Sequence, residues 1–334
     1  MSAPQPAGAP GIPLTRRVLE QLSREGTVSG QSLGEALGVS RAAVWKAVQA
    51  LRAQGYPVES LGGRGYRLPG GLQPLDAAAL QASLPGELVC PVEAVEVTGS
   101  TNADLLSRLN EPLPRALFAE RQRCGRGRWG RHWESDPGSG IHFSLAWPFE
   151  AAAGGLAALS LVTALHLAEV LEAWGVPELG LKWPNDLLRG EAKLGGILVE
   201  LAGEIPGPCR AVVGVGVNWR AGEALARRAG RPVAGVADTA PAAAGRGRQA
   251  LAAELLAATA RACRSVEQGS AAQRLRDGWP RYDRLRDRPV TVTLPWGELQ
   301  GVARGIDPDG ALRLETAEGV TRLWSGEPEL RVRA

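Results

Sequence analysis

Five arginines and three glycines are concentrated between Glu120 and Trp133, in the segment E-R-Q-R-C-G-R-G-R-W-G-R-H-W. A guanidinium group binds a carboxylate or phosphate through paired hydrogen bonds, and glycine lets the backbone approach a ligand closely. Like charges at this density repel one another unless anions neutralise them. We therefore expect a loop that becomes ordered around an anion; the alternative is a solvated surface loop.

The glycines of this loop also match G-x-G-x-x-G, the fingerprint of dinucleotide-binding folds. That motif requires a strand before it and a crossover helix after it. The apolar run upstream, residues 116–119, is very short, and the downstream segment R-H-W-E-S-D-P-G-S-G is interrupted by proline and glycine. The sequence therefore argues against a nicotinamide-dependent dehydrogenase.

The chain has 334 residues, of which 44% are hydrophobic and 22% charged, and this indicates a globular protein of two or three domains. We find no run of about 18 apolar residues, so we expect no membrane span. Residues 1–13 lack the features of a signal peptide and are predicted to be a disordered tail. The four cysteines are far apart and show no metal-binding spacing. These features predict a reduced, cytoplasmic protein without disulfides or a zinc site.

Lysine and asparagine are scarce in this sequence. Of 38 basic residues only Lys46, Lys182 and Lys193 are lysine, and the few asparagines include Asn102 and Asn218. Arginine replaces lysine freely on a solvated surface, but not where a compact ammonium must contact a phosphate or carboxylate. The remaining lysines are therefore candidates for chemistry.

The N-terminal segment 14–68 has the pattern of a winged helix-turn-helix. Helices are predicted at 14–25 and 31–37 and from Ser40 to Gly55, followed by a hairpin that turns at 62–63. Eight basic and four acidic residues give this segment a net charge of +4, which favours DNA binding. A protein-docking three-helix module is the alternative. The predicted DNA contacts are Ser40, Arg41, Lys46 and Arg64.

The rest of the chain alternates between helices and strands after a linker at 69–74. The predicted strands are 92–97, 140–148, 192–201 and 210–219, the predicted helices are 75–84, 103–109, 156–174 and 251–266, and 243–248 is predicted to be a mobile loop. The short strands in 289–332 predict a small barrel. Lys193 opens one strand and Asn218 closes another, so both are placed to line one ligand. The hydroxyls and amide at 100–102 either cap the next helix or face that ligand.

Five motifs occur in order along the chain. They are S-T-N (100–102), G-R-G-R-x-G-R-x-W (125–133), K-W-P-N-D (182–186), K-L-G-G-I-L-V-E (193–200) and G-V-G-V-N (214–218). Together they resemble biotin–protein ligase, also called biotin–[acetyl-CoA carboxylase] ligase. The N-terminal winged helix resembles that of the bifunctional form, which also represses biotin genes.

The resemblance implies an α+β multidomain fold. It consists of a winged helix-turn-helix (14–68), a central mixed-sheet α/β ligase domain of class II synthetase type (75–286) and a small Src-homology-3-like β-barrel (287–334). The implied activity joins biotin and ATP, with Mg²⁺, into biotinyl-5′-adenylate and transfers biotin to a lysine of a biotin carboxyl carrier protein. The implied partners also include a DNA operator and a second copy of the chain in an adenylate-promoted homodimer. The alternatives are a lipoate–protein ligase and a biotin-sensing regulator without ligase activity.

The resemblance also implies roles for individual residues. The biotin head group is assigned to Ser100, Thr101, Asn102 and Gln122, the carboxylate and adenylate phosphate to Arg126, Gly127, Arg128 and Lys193, and the ATP or adenylate side to Arg128, Arg131, Trp133, Asp186 and Asn218. Of these, Lys193, Arg126 and Arg128 are expected to be catalytic. Gly99 stands where the family commonly has an acid, and this puts one contact near the head group in doubt.

Overall fold

A computed structural model describes residues 13–24, 26–69, 72, 74–86, 88–150, 155–203 and 208–330. The chain forms two compact units, Met1–Leu75 with Asp136–Gly138 and Asp76–Ser135 with Ser139–Ala334. The predicted tail (1–13) lies almost entirely outside the described residues, as does half of the predicted linker. The predicted domain boundary at 286/287 falls inside the second unit.

The first unit is a helix-turn-helix followed by a short hairpin, as predicted. Its elements are α1 (Leu14–Arg24), α2 (Gly30–Leu37), α3 (Arg41–Ala53), β1 (Glu59–Ser60) and β2 (Tyr66–Arg67). The turn before α3 passes through Gly38, whose φ of 67° favours glycine. Ser40 caps α3, because its hydroxyl accepts a hydrogen bond from the Ala43 N–H at 3.2 Å. The core comprises Val18, Leu19, Leu22, Leu33, Val44, Val48 and Leu51.

The second unit is built on a mixed seven-stranded sheet. Its strands are β3 (Val92–Thr98), β4 (Arg115–Gln122), β5 (Gly140–Phe149), β6 (Leu179–Lys182), β7 (Asp186–Arg189), β8 (Ala192–Gly203) and β9 (Cys209–Asn218). The strand order is β3-β4-β5-β9-β8-β7-β6. Strands β3 and β4 run parallel, and the other neighbouring pairs run antiparallel. The predicted mixed sheet is therefore confirmed.

Helices connect and flank these strands. They are α4 (Ala77–Ala82), α5 (Thr101–Ser107), α6 (Leu159–Ala173), α7 (Glu223–Ala229), α8 (Val236–Thr239), α9 (Pro241–Arg246), α10 (Arg248–Glu267) and α11 (Ala271–Tyr282). Helix α6 packs against α10, α11 and β8. The stretch Leu156–Ala173, within the predicted helix 156–174, is long and apolar enough to cross a membrane, but 67% of it is buried in this unit. It serves here as a core helix.

The C-terminal part of the second unit is a small antiparallel sheet. Its strands are β10 (Pro289–Leu294), β11 (Gly297–Ile306), β12 (Leu312–Thr316), β13 (Gly319–Leu323) and β14 (Glu327–Leu330), in the order β13-β12-β11-β10-β14. The predicted small β domain is confirmed. The buried indole N–H of Trp183 donates to the Gly310 carbonyl at 3.0 Å, so this sheet is joined to the K-W-P-N-D segment.

Two local predictions were wrong. The segment predicted as a mobile loop, 243–248, belongs to α9 and the start of α10, because its alanines favour helix. The strand before the glycine-arginine loop is not too short: β4 has 8 residues. It continues through Glu120, whose carboxylate forms a buried ion pair with Arg248 at 2.7 Å. Only a 3-10 turn, Arg128–Gly130, follows within the loop, so the dinucleotide fingerprint still lacks its helix.

Candidate functional site

A cavity of about 800 Å³ in the second unit brings together every predicted ligand-binding residue. These are Ser100, Thr101, Asn102, Gln122, Arg126, Gly127, Arg128, Arg131, Trp133, Asp186, Lys193 and Asn218. The volume suits a ligand of the size of a nucleotide or a drug-like molecule. The predicted DNA-binding residues lie in the first unit.

The start of α5 supplies hydroxyl and amide groups to one end of the cavity. Ser100 caps α5, since its hydroxyl oxygen lies 3.5 Å from the Ala103 nitrogen, and the same residue lines the cavity. Both of the roles considered for this segment, helix cap and cavity wall, therefore occur together. Thr101 donates to Gln122 Oε1 from its backbone N–H at 2.9 Å and from its hydroxyl at 3.1 Å. The Gln122 side-chain oxygen is thereby held toward α5.

A fully buried serine extends this group. The Ser144 hydroxyl lies 2.6 Å from Thr101 Oγ1 and 2.5 Å from Asn102 Oδ1. The four oxygens of Gln122, Thr101, Ser144 and Asn102, here called the acceptor cluster, make three close contacts with one another. Two hydroxyl hydrogens cannot serve three contacts, because each hydroxyl donates once. The acceptor cluster therefore favours a ligand that brings its own N–H donors.

The other side of Asn102 faces a carboxylate. Its Nδ2 donates to Glu200 Oε2 at 2.8 Å and to the Leu198 carbonyl at 3.3 Å. Glu200 Oε2 also accepts from Arg126 Nη2 at 2.9 Å. A Cβ atom at Gly214 would overlap Asn102 Oδ1, so the first motif glycine of β9 makes room for this amide.

The glycine-arginine loop is held by its own backbone and by acids of the chain. The Gly127 N–H donates to the Arg131 carbonyl at 2.8 Å. Arg126 pairs with Glu200, Arg131 pairs with Glu327, and Arg128 donates to the Gly326 carbonyl at 3.2 Å. The expectation that a bound anion must neutralise these arginines is therefore corrected, because Glu200 and Glu327 already neutralise two of them.

Lys193 lies in the cavity between a carboxylate and an aromatic ring. Its Nζ lies 2.6 Å from Asp186 Oδ1 and 5.5 Å from the centre of the Trp133 ring. Its backbone N–H donates to the Pro232 carbonyl at 2.9 Å, and its carbonyl accepts from Asn218 Nδ2 at 3.2 Å. Asn218 thus holds the strand that carries the lysine, and its role toward adenine stays a prediction.

Trp133 closes one wall of the cavity. Its ring lies against β9, where a Cβ atom at Gly216 would come within 2.6 Å of it. It also meets the edge of the His142 ring at a centroid distance of 6.3 Å. Burial, together with the nearby Arg248 charge, lowers the pKa of His142 to about 4, so this ring is neutral at pH 7.

Three cations surround the Asp186 carboxylate. Lys193 contacts one oxygen, Arg231 lies 3.7 Å from the other, and Lys182 is its partner across the β6–β7 hairpin. Burial lowers the pKa of Lys182, which has no carboxylate at ion-pair distance within the described part of the chain. Burial also lowers the pKa of the Arg128 guanidinium, which nevertheless stays protonated. This end of the cavity suits a polyphosphate.

In the first unit, α3 presents a basic face. Arg41 and Lys46 are exposed there, and Arg64 lies in the exposed hairpin turn. The hydroxyl of Ser40 is occupied as the helix cap. Trp45, which is 53% exposed between Arg41 and Lys46, was not selected from the sequence although it lies on the same face.

Three segments of the chain match known families. Residues 15–67 match an HTH domain, 94–218 match the Biotin/lipoate A/B protein ligase family, and 287–326 match the Biotin protein ligase C terminal domain. The Bifunctional ligase/repressor BirA of Escherichia coli is 37% identical over 302 residues, covering 89% of this chain and 91% of that protein. The chain belongs to the biotin protein ligase family.

Other family members extend the likeness. The Bifunctional ligase/repressor BirA of Bacillus spizizenii is 30% identical over 342 residues, covering 95% of this chain and 98% of that protein. The solved structure of the biotin protein ligase from Aquifex aeolicus in complex with biotin and ATP has a TM-score of 0.59 and 26% identity, and covers 72% of this chain and 98% of that chain. The resemblance and fold predicted from the five motifs are confirmed.

Sequence reasoning missed two side chains that hold the cavity-lining residues in place. Glu200 ends the fourth motif, but its position gave no sign of its contacts with Asn102 and Arg126. Ser144 lies within a strand whose other residues are mostly apolar, and a buried hydroxyl in such a strand is the signal that could have identified it.

Proposed function

We infer that this protein is an ATP-dependent biotin–protein ligase that also acts as a DNA-binding repressor. The main support for this function is that one cavity has two chemically different ends. The acceptor cluster lies at one end, and the cations around Asp186 lie at the other. One end suits a neutral group with N–H donors, and the other suits phosphates. Biotin and ATP, bound side by side, supply both.

The acceptor cluster distinguishes biotin from lipoate. The ureido ring of biotin carries two N–H donors, which suit the cavity-lining oxygens of Thr101 and Asn102, because the three close contacts of the acceptor cluster share only two hydroxyl hydrogens. The dithiolane ring of lipoate carries none, so it would leave buried oxygens unpaired at a cost of about 1–3 kcal/mol each. This comparison favours biotin over the lipoate alternative.

The reaction joins two anions. A carboxylate oxygen of biotin attacks the α-phosphorus of ATP, the bond from that phosphorus to the bridging oxygen breaks, and pyrophosphate leaves with the bonding electrons. Arg126, Arg128 and Lys193 hold the carboxylate and the α-phosphate together and stabilise the charge that develops between them. The retained Lys193 favours a ligase over a regulator that only senses biotin.

Transfer then consumes the adenylate. The neutral amine of a lysine on a biotin carboxyl carrier protein attacks the acyl carbon, an amide bond forms, AMP leaves, and the amine loses a proton to solvent. Carrier protein, ATP and DNA occur together in the cytoplasm, where we place the protein.

Mg²⁺ would enter with ATP. Among the described residues no group of three or more acidic, histidine or cysteine side chains could hold a metal, and both oxygens of Asp186 face cations. Mg²⁺ in phosphoryl-transfer sites is bound mainly by substrate phosphates and water with one or two carboxylates. Asp186 is the side chain placed to contribute, and the ion would neutralise charge on the leaving pyrophosphate.

Repression requires two copies of the winged helix on a palindromic operator. A pairing surface is available on β8, since β7 pairs with β8 only as far as Gly196, Ile197 is hydrogen-bonded to Asn185, and residues 198–203 pair with β9 alone among the strands. Leu201 on this free edge is 41% exposed. We propose that two copies join along this edge. Glu200 lies on the same edge and forms an ion pair with Arg126 of the glycine-arginine loop. Through this ion pair, binding of the adenylate to the loop would affect the edge at which the two copies join.

The ligase function is tested with purified protein, ATP, Mg²⁺ and a biotin carboxyl carrier domain. We expect biotin-dependent release of pyrophosphate and the mass of one biotin on a single lysine of the carrier. Pyrophosphate release that does not depend on biotin, or a carrier of unchanged mass, would contradict the proposed function.

A further inference from the structure

Glu200 connects the glycine-arginine loop to the acceptor cluster. Its Oε2 atom accepts hydrogen bonds from Asn102 at 2.8 Å and from Arg126 at 2.9 Å. We propose that Glu200 is a positioning residue that couples the binding of the biotin head group to the position of the Arg126 side chain. This inference rests on the biotin ligase function proposed above.

The charge of Glu200 fixes the orientation of the Asn102 amide. A carboxylate and a backbone carbonyl only accept hydrogen bonds, so the amide nitrogen must face Glu200 and Leu198. The amide oxygen is then turned toward Ser144, where it completes the acceptor cluster. A side chain at position 200 that could also donate would let the amide turn over and present its nitrogen to the ureido group instead.

The same oxygen orients Arg126. The side chain of Arg126 is 40% exposed and that of Glu200 is 27% exposed, so this guanidinium has solvent as its alternative. Without the carboxylate, a long arginine side chain loses its fixed direction toward the cavity. Asn102 and Arg126 donate to the same oxygen atom of Glu200, so a ligand that fixes one of these donors also fixes the Glu200 carboxylate in place for the other donor. We therefore expect the head group and the carboxylate of biotin to bind cooperatively.

A double-mutant cycle tests this coupling with Glu200→Gln, Arg126→Gln and the double variant. Biotin affinity is measured by titration calorimetry on the full-length protein without ATP. We expect each single variant to raise the Kd about tenfold, because each removes a charge-assisted hydrogen bond. The double variant should raise it by clearly less than the product of the two single effects.

A matched control is Glu169→Gln. Glu169 also pairs with an arginine, Arg274, at 2.7 Å, and its side chain is 41% exposed. Neither side chain belongs to the cavity lining, so biotin affinity should change less than about twofold. Melting temperatures of all variants, and their affinity for ATP alone, show whether the variants perturb the fold.

Three results would overturn the role of Glu200. The first is a double variant whose loss equals the product of the single losses, and the second is single variants with wild-type affinity. The third is a lowered melting temperature with equal losses for biotin and ATP, since that describes a general structural role. Wild-type protein that binds no biotin would instead refute the proposed function itself.

Discussion

The ammonium of Lys193 lies 2.6 Å from Asp186 Oδ1 and 5.5 Å from the centre of the Trp133 ring. The lysine and aspartate side chains are 19% and 13% exposed, so solvent screens this pair weakly. A compact ammonium fits between a carboxylate and an indole, whereas a planar guanidinium needs more room and a different donor geometry. The geometry explains why lysine persists here in a chain rich in arginine.

Replacing Lys193 by alanine or by arginine is expected to slow adenylation about 100- to 1000-fold. Loss of one preorganised charge donor typically costs about 2.7–4 kcal/mol in the transition state. The rate of pyrophosphate release at saturating biotin and ATP measures this effect, and the melting temperature shows that the variants fold. A Lys193→Arg enzyme with a near-normal rate would show that any cation suffices at this position.

Gly214→Ala is expected to raise the KM for biotin about tenfold, because the added methyl group would displace the Asn102 amide from the acceptor cluster. The KM for ATP should change much less. Gly99→Ala is the control, since a Cβ atom at Gly99 meets nothing within 4 Å. Equal KM values for biotin in the two alanine variants would be inconsistent with this role of Asn102.

The stability of the protein should fall as the pH decreases below about 6.5. Burial lowers the pKa of His142 from 6.5 to about 4, so between these values the unfolded chain binds a proton that the folded chain does not. His142 alone should remove on the order of 3 kcal/mol of unfolding free energy by pH 4, with the full stability retained above pH 6.5.

Urea unfolding of wild-type protein and of His142→Phe at several pH values measures the contribution of His142 to the free energy of unfolding. His166, whose pKa is also lowered to about 4 by burial, acts in the same direction in both proteins and cancels in the comparison. The wild type should lose more stability than the variant between pH 7 and pH 4. Parallel losses in the two proteins would show that His142 does not carry the effect.

The sequence predicted the parts of the site that are contiguous along the chain. Ser40 was predicted as a cap and is one, and the ligand-binding residues assigned by the resemblance line one cavity. Contacts between distant segments were not predictable. Glu200 meets Asn102 and Arg126 only because β8 lies beside β9 and the loop folds over both.

Polar residues and glycine made the predictions for β4 and for the segment 243–248 wrong. The strand β4 looked too short because Glu120 interrupts its apolar pattern, and only the fold reveals that Arg248 neutralises this carboxylate inside the core. Likewise, glycine and arginine at 245–248 indicated a loop, although the alanines before them form α9. Local composition cannot report a partner that lies far away in the chain.

Dimerisation should depend on ligand and on the free edge of β8. We expect sedimentation to show a larger mass with biotin plus ATP than with protein alone. Leu201→Lys should abolish this increase, because a charge on an edge strand opposes pairing. Val320→Lys, at a site 53% exposed on edge strand β13, is the matched control and should dimerise normally. An unchanged mass of the wild type in all conditions would refute the ligand-dependent dimer.

Substrate choice by the acceptor cluster is tested most directly by comparing desthiobiotin with lipoate in adenylation. Desthiobiotin keeps the ureido N–H groups and lacks the sulfur ring, whereas lipoate keeps a sulfur ring and lacks the N–H groups. Because Thr101 and Asn102 line the cavity with oxygens whose contacts through Ser144 share too few hydroxyl hydrogens, we expect the protein to release pyrophosphate with biotin and with desthiobiotin, and not with lipoate. Equal turnover of lipoate and biotin, or no turnover of desthiobiotin, would contradict the account.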